Sequence, residues 1–158
     1  MSVFVKKEGE QQAVWCVLEL CIEGDICHFG AFSVASRDLA VHLAGCKRVI
    51  LFAATIGARF DRELQKQARL SPHRAYELQM QGTQEIERFC DALCEQLAKE
   101  QNSTLRTRFS PGYGDLPLET QREVFRVLEP ARQIGLCLND SCVMSPSKSV
   151  TAFVGVEE

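Results

Sequence analysis

The ten residues from Arg108 to Pro117 hold the groups best suited to binding a ligand. The stretch reads Arg-Phe-Ser-Pro-Gly-Tyr-Gly-Asp-Leu-Pro. Its prolines fix φ and its glycines permit sharp turns or a close approach to a ligand, so a rigid, irregular loop is predicted. Arg108 supplies a planar fork of donors for a carboxylate or phosphate, and Tyr113 supplies an aromatic face and a hydroxyl. Turn chemistry alone also explains Gly and Pro, so a plain turn with Tyr113 packed on the core stays open.

Motifs of the common catalytic sites are missing from the rest of the sequence. It contains no GxxxxGK phosphate loop, no GxGxxG that opens a helix and no GxSxG elbow. His28, His42 and His73 show no metal-binding spacing and are interpreted as surface or satisfied core residues. Asp61 and Glu63 are interpreted as solvated acids in the first turn of a helix.

The eight cysteines could form disulfides or hold a metal, but their positions favour packing. They stand mostly inside apolar runs, and no Cys-x-x-Cys pair occurs. The first eight residues lack the apolar segment of a secretory signal, so we expect a cytoplasmic protein with reduced thiols. Cys90 and Cys94 share one face of a predicted helix, and Ile86, Leu93 and Leu97 share that face with Cys90. These apolar neighbours indicate that Cys90 packs in the core.

Size and charge predict one soluble globular domain. A chain of 158 residues corresponds to a single domain of ordinary size, which we expect to span residues 1–158 with residues 1–12 frayed. The formal net charge is −3, and Lys and Arg are scattered, so no nucleic-acid partner is expected. No apolar run approaches the ~18 residues of a membrane span, so no membrane partner is expected either.

The order of predicted elements favours an α+β fold, with a largely antiparallel twisted sheet packed with helices. Strands and helices do not alternate as strict βαβ units, which argues against a parallel sheet. Ser36 and Ser71 are hydroxyl N-caps, Pro72 suits a first helical turn, and Gly82 is a weak point in the longest helix. Strands are predicted over 13–22, 26–34 (paired with the first), 49–54, 136–144 and 150–156, and helices over 36–45, 59–70, 73–100 and 117–128.

Three motifs occur in order in the second half of the chain. They are Arg108-x-x-Pro111-Gly112-Tyr113, then Gly135-Leu136-x-Leu138, then Ser141-x-x-Met144-x-Pro146-x-x-Ser149-Val150. In order and spacing they resemble three parts of the activation domain of cobalamin-dependent methionine synthase. These are its RxxPGY signature, the stretch that follows the next helix, and its closing motif. The resemblance spans about residues 46–156. In many bacteria that domain is a separate short protein, the form that this chain resembles.

The resemblance implies a function in reactivating cobalamin. The chain would bind S-adenosylmethionine and present its methyl group during reductive methylation of cobalamin, which is held by a cobalamin-dependent methionine synthase or another corrinoid protein. By the same resemblance, Arg108 pairs with the carboxylate of S-adenosylmethionine and Gly112 lets the backbone approach it. Tyr113 lines the pocket, and Pro111 fixes the shape of the loop. The nucleophile and the electron come from other components, so no catalytic acid or base is expected on this chain.

The chain also departs from the family pattern. The fused form of the domain extends beyond this chain at both ends, and its N-terminal acidic contact and later tyrosine have no counterpart here. An alternative function is therefore a docking module for a corrinoid protein that no longer binds S-adenosylmethionine. A thiol redox or metal protein is a third hypothesis, which rests on the number of cysteines alone.

Overall fold

The structure, a computed structural model, describes all 158 residues as a set of antiparallel strands and five helices. In chain order the elements are β1 (Phe4–Glu8), β2 (Gln11–Glu19), β3 (Cys21–Glu23), β4 (Ile26–His28), β5 (Ser33–Ala35), α1 (Arg37–His42), β6 (Arg48–Thr55), α2 (Ala58–Leu70), α3 (Pro72–Gln101), α4 (Thr120–Leu128), α5 (Pro130–Ile134), β7 (Cys137–Leu138), β8 (Met144–Ser145) and β9 (Ser149–Val156).

Four of these strands form the main sheet, in the order β1-β2-β6-β9, and every neighbouring pair is antiparallel. The fold is α+β with antiparallel sheets, as predicted. The prediction that residues 1–12 fray is wrong, because β1 pairs along its whole length with β2, from Phe4 opposite Trp15 to Glu8 opposite Gln11. Ladder hydrogen bonds and the stacking of Phe4 on Trp15 hold a segment whose polar composition alone indicated a free end.

Two predicted long strands are instead short hairpins. The segment 26–34 is divided by a tight turn at Gly30, closed by a 2.9 Å hydrogen bond from Phe29 N–H to the Phe32 carbonyl. It pairs within a small β3-β4-β5 sheet, so its predicted pairing with the first strand is confirmed only for Cys21 and Ile22, the last two residues of that prediction. The segment 136–144 folds back as the β7–β8 hairpin.

The main sheet is covered on both faces, which explains why its central strand β6 is apolar almost throughout. Alternate residues of β6 point to opposite sides: Leu51 and Ala53 join one core, Ile50 and Phe52 the other. The first core is closed by α1, α4 and α5, and the second by α3. Cys90 lies fully buried in the second core, which confirms its predicted packing role.

The helix α3 is the longest element, at 30 residues or about 45 Å. Ser71 caps it by accepting from the Arg74 N–H, as predicted. The helix continues unbroken through Gly82, which is buried because the Phe60 ring of α2 lies where a Cβ would stand. No helix is both long and apolar enough to span a bilayer.

The helix predicted over 117–128 begins three residues later, at Thr120, after a turn at Pro117. A further helix, α5, was not predicted. It follows because Glu129 adopts a left-handed conformation with φ of 50°, which ends α4, and Pro130 then suits the first position of a new helix.

The contact between Gly82 and Phe60 makes the packing of α2 on α3 testable. We expect Gly82→Ala to destabilise the protein, measured as the free energy of unfolding in urea. Overpacking costs about 1–3 kcal/mol, against a gain of about 1 kcal/mol from the better helix propensity of alanine. In a Phe60→Ala background the ring is gone, and the same substitution should be neutral or stabilising. Stabilisation by Gly82→Ala in the wild-type background would contradict the close packing.

Candidate functional site

A cleft of about 770 Å³ opens between α3 and the chain that leads into the proline- and glycine-rich loop. This volume lies within the ~300–1,000 Å³ usual for small-molecule sites. Three carboxylates of α3, those of Glu87, Asp91 and Glu95, line one side. Arg108 and Tyr113 of the loop segment line the other. The cleft therefore combines acids, a guanidinium and an aromatic ring.

The chain entering the loop is held along the outer edge of β9. Arg106 N–H donates to the Gly155 carbonyl at 2.8 Å, and Phe109 and Phe153 exchange backbone hydrogen bonds of 3.0 and 2.8 Å. Residues 104–109 thus extend the main sheet beside β9 as an irregular fifth strand. This edge fixes the first residue of the RxxPGY motif opposite α3.

Arg108 is bound by two acids of α3. Its Nη2 donates to Glu87 Oε2 at 2.7 Å and its Nη1 to Asp91 Oδ1 at 2.8 Å. Burial alone would lower the pKa of Arg108, but hydrogen bonds to Asp91 and to the Cys94 sulfur outweigh it and raise the pKa. The sequence indicated no protein partner for Arg108. The structure supplies two because Glu87 and Asp91 lie one turn apart on the face of α3 beside it.

The loop itself is a compact turn. Gly112 N–H donates to the Leu116 carbonyl at 2.9 Å and Tyr113 N–H to the Ser110 carbonyl at 3.0 Å. Gly112 has φ of 95°, a left-handed conformation that favours glycine. Pro111 is buried beneath the turn.

The alternative in which Tyr113 packs on the core is wrong, because its side chain is 56% exposed. Its ring stands edge-on to Phe109 at 5.9 Å between centroids. Of the four predicted site residues, Arg108 and Tyr113 line the cleft, whereas Pro111 and Gly112 shape the turn behind it. Their roles toward a ligand remain predictions.

The sequence analysis did not identify the acids of α3 as part of the site. A signal was available: Glu87, Asp91 and Glu95 recur at intervals of four residues, which places them on one helix face. That face looked like an ordinary solvated surface because its neighbour, Arg108, is at least 13 residues away in sequence.

The closing motif, residues 141–150, connects the end of β6 to the start of β9 through side-chain hydrogen bonds. Ser149 Oγ donates at 2.7 Å to the Pro146 carbonyl and lies 2.8 Å from the Thr55 hydroxyl at the end of β6. Asp61, interpreted as a solvated acid, accepts from the backbone N–H of Ser147 at 2.8 Å and so ties this motif to α2. Val150 follows at the start of β9 and lines the cleft.

The comparisons with known proteins concern the family and the fold of the chain. The sequence profile described as "Vitamin B12 dependent methionine synthase, activation domain" matches residues 73–158, more than half of the chain. The chain therefore belongs to the family of vitamin B12 dependent methionine synthase activation domains.

The fold is also that of a solved member of this class, the crystal structure of the MetH reactivation domain bound to AdoHcy. The TM-score is 0.70 at 16% sequence identity, over 92% of this chain and 58% of that chain. The present chain thus spans little more than half the length of the structure it matches. No curated protein matches it.

The eight cysteines are all free, and their exposure predicts their reactivity. We expect two thiols, Cys21 and Cys137, to react rapidly with a chromogenic disulfide at pH 8, because only these two are exposed. Burial raises the pKa of Cys90 to about 12 and also raises that of Cys94, against an opposing effect of Arg108, so both remain unreactive thiols at this pH.

The control for this titration is the double variant Cys21→Ser, Cys137→Ser, which should lose the rapid phase entirely. In denaturant the wild-type protein should titrate eight thiols. A rapid phase that survives in the double variant, or fewer than eight thiols in denaturant, would contradict the assignment.

Proposed function

We propose that this chain binds S-adenosylmethionine in the cleft and presents its methyl group to cobalamin held by a partner, a cobalamin-dependent methionine synthase or another corrinoid protein. The observation that carries the proposal is the meeting of Arg108 and Tyr113 in one cleft with the acids of α3. Membership of the activation-domain family supports it. The match to a domain crystallised with AdoHcy, the demethylated form of the same ligand, points the same way.

The charges of the cleft suit this ligand. S-adenosylmethionine carries a carboxylate, an ammonium and a sulfonium, and is a net monocation. The cleft is lined by three carboxylates and the guanidinium groups of Arg106 and Arg108, a net charge of −1. Arg108 would hold the ligand carboxylate, while Glu87, Asp91 and Glu95 would face its cationic groups. These acids would replace the acidic ligand contact that the N-terminal extension supplies in the fused form of the domain.

The ion pairs of Arg108 do not prevent this binding. The Arg108 side chain is only 21% exposed, but those of Glu87 and Asp91 are 52% and 66% exposed. A ligand carboxylate can therefore share the guanidinium, because water solvates the two acids when they move away from it. Before a ligand binds, the two acids keep the Arg108 side chain oriented, and this reduces the side-chain entropy that is lost on binding.

The remaining site residues act on the loop. Pro111 would limit the conformations of the free loop, and Gly112 would keep the turn in a conformation that other residues adopt only under strain. The Tyr113 ring would lie against a cationic group of the ligand, a contact worth about 0.5–1 kcal/mol at an exposed site. The bound methyl donor supplies an activated methyl group, and the chain's own residues bind and orient it.

A second function is favoured by one observation. Because the Nη atoms of Arg108 already bind Glu87 and Asp91, the loop can be stable without any ligand. The chain would then be a docking module for a corrinoid protein. The structure holds no group of three or more His, Cys, Asp or Glu side chains arranged for a metal ion.

Titration calorimetry with S-adenosylmethionine tests the first function. We expect Arg108→Gln to raise the Kd by about 10- to 100-fold, since charge-assisted hydrogen bonds contribute about 1.5–3 kcal/mol and each 1.4 kcal/mol is tenfold. The matched control is Arg132→Gln, which removes an arginine paired only with Glu129 on the surface, and its Kd should not change. Equal affinity in wild type and Arg108→Gln would contradict the assigned role.

Association with a methionine synthase that lacks its own activation domain separates the two functions. Presentation of the methyl donor predicts that S-adenosylmethionine strengthens the complex and that, with a one-electron reductant, the chain restores methylcobalamin. A docking module predicts association that neither the ligand nor Arg108→Gln alters. Absence of ligand binding both with and without the partner would exclude the first function.

A further inference from the structure

The short helix α1 contacts both ends of the segment that carries the proposed site. Its N-terminus meets Asp115, just after the RxxPGY motif, and its last residue, His42, meets Thr107, just before it. At six residues the helix is about 9 Å long. The family profile begins only at residue 73, so this helix lies outside the matched part of the chain.

At the first end, Asp115 binds the beginning of α1. Its carboxylate accepts from the Ser36 hydroxyl at 2.5 Å, from Arg37 N–H at 3.0 Å and from Asp38 N–H at 3.1 Å. These bonds, that of Ser36 foremost, lower the pKa of Asp115. In return, Asp115 N–H donates to the carboxylate of Asp38 at 2.9 Å. The contact is reciprocal, so it fixes the backbone of the loop as well as one side chain.

Gly114 makes this approach possible. It has φ of 50°, and a Cβ at this position would clash with the Asp38 carboxylate. The residue that follows Tyr113 therefore lies directly against α1.

At the second end, His42 binds the chain that enters the loop. Its Nε2 donates to the Thr107 carbonyl at 2.8 Å, and its own carbonyl accepts from Arg106 Nη1 at 2.8 Å. The imidazole also lies 5.2 Å from the Phe109 ring, which in turn contacts Tyr113. A histidine that the sequence analysis interpreted as an ordinary surface or core residue thus holds the peptide next to Arg108.

We propose that α1 positions the ligand-binding loop, with Asp115 and His42 as its positioning residues. Neither residue lines the cleft. Each acts by fixing the backbone on one side of Arg108 and Tyr113, so that the guanidinium and the ring keep their places at the cleft. The proposal rests on the proposed function for its effect on binding, but the restraint on the loop can be measured without any ligand.

The chain has two tyrosines, which makes Tyr113 easy to observe. In a Tyr76→Phe background, incorporated 3-fluorotyrosine gives one ¹⁹F resonance, that of Tyr113. We expect Asp115→Ala to move this resonance toward free fluorotyrosine and to narrow it, because all three side-chain hydrogen bonds of Asp115 are lost and only its N–H bond to Asp38 remains. The Kd for S-adenosylmethionine should rise about tenfold, equivalent to about 1.4 kcal/mol. Asp115→Asn, which keeps one carbonyl acceptor, should give an intermediate result in both measurements.

Ser71→Ala is the matched control, because it removes the N-cap of α3 at the far end of the α2–α3 hairpin. It should lower the Tm while leaving the resonance and the Kd unchanged. If Asp115→Ala does not fold, His42→Ala tests the other end of α1 by the same two measurements.

The outcomes separate the two proposals. An unchanged ¹⁹F resonance in both Asp115→Ala and His42→Ala overturns the positioning role. A shifted resonance with an unchanged Kd also overturns the positioning role, since the loop could then move without any effect on ligand binding. A shifted resonance in a protein that binds no S-adenosylmethionine in any form supports the restraint by α1 and refutes the proposed function instead.

Discussion

Burial of the main sheet on both faces is the constraint on which the rest of the structure depends. The strand β6 is buried at every position from Val49 to Thr55, so helices must cover it from both sides. One layer is α3 and the other contains α1, α4 and α5. At the β9 edge the chain that leaves α3 runs along the sheet with α3 on one side and α1 on the other. The cleft forms at that place.

This arrangement explains why the site combines residues from distant parts of the chain. The segment 104–109 completes the sheet edge through hydrogen bonds to β9, and it has α3 on one side and α1 on the other. Arg108 turns to the acids of α3, while the backbone at Thr107 meets His42 of α1. The loop that follows is a compact turn, and its tyrosine lies exposed beside the cleft.

The electrostatics of the cleft follow from the same geometry. An arginine placed beside Glu87 and Asp91 remains charged and oriented, while the carboxylates of both acids stay more than half exposed to water. A stronger, buried pair would fix Arg108 against any ligand. A guanidinium without partners would lose more side-chain entropy on binding. The acids of this cleft all come from α3. The chain that carries them spans 58% of the length of the solved domain whose fold it shares.

The sequence by itself determined the features that depend on neighbouring residues. Local propensities and turn chemistry account for the apolar run of β6, the caps Ser36 and Ser71, the long α3 and the compact turn of the RxxPGY loop. The motifs also indicated the family. Only the tertiary structure decided which groups meet across the chain. Arg108 binds acids 17 and 21 residues away, and Asp115 binds a serine 79 residues away. It also decided that the polar N-terminus is a strand and that Gly82 is a packing site, because pairing and close approach depend on elements that are brought together only when the sheet is covered.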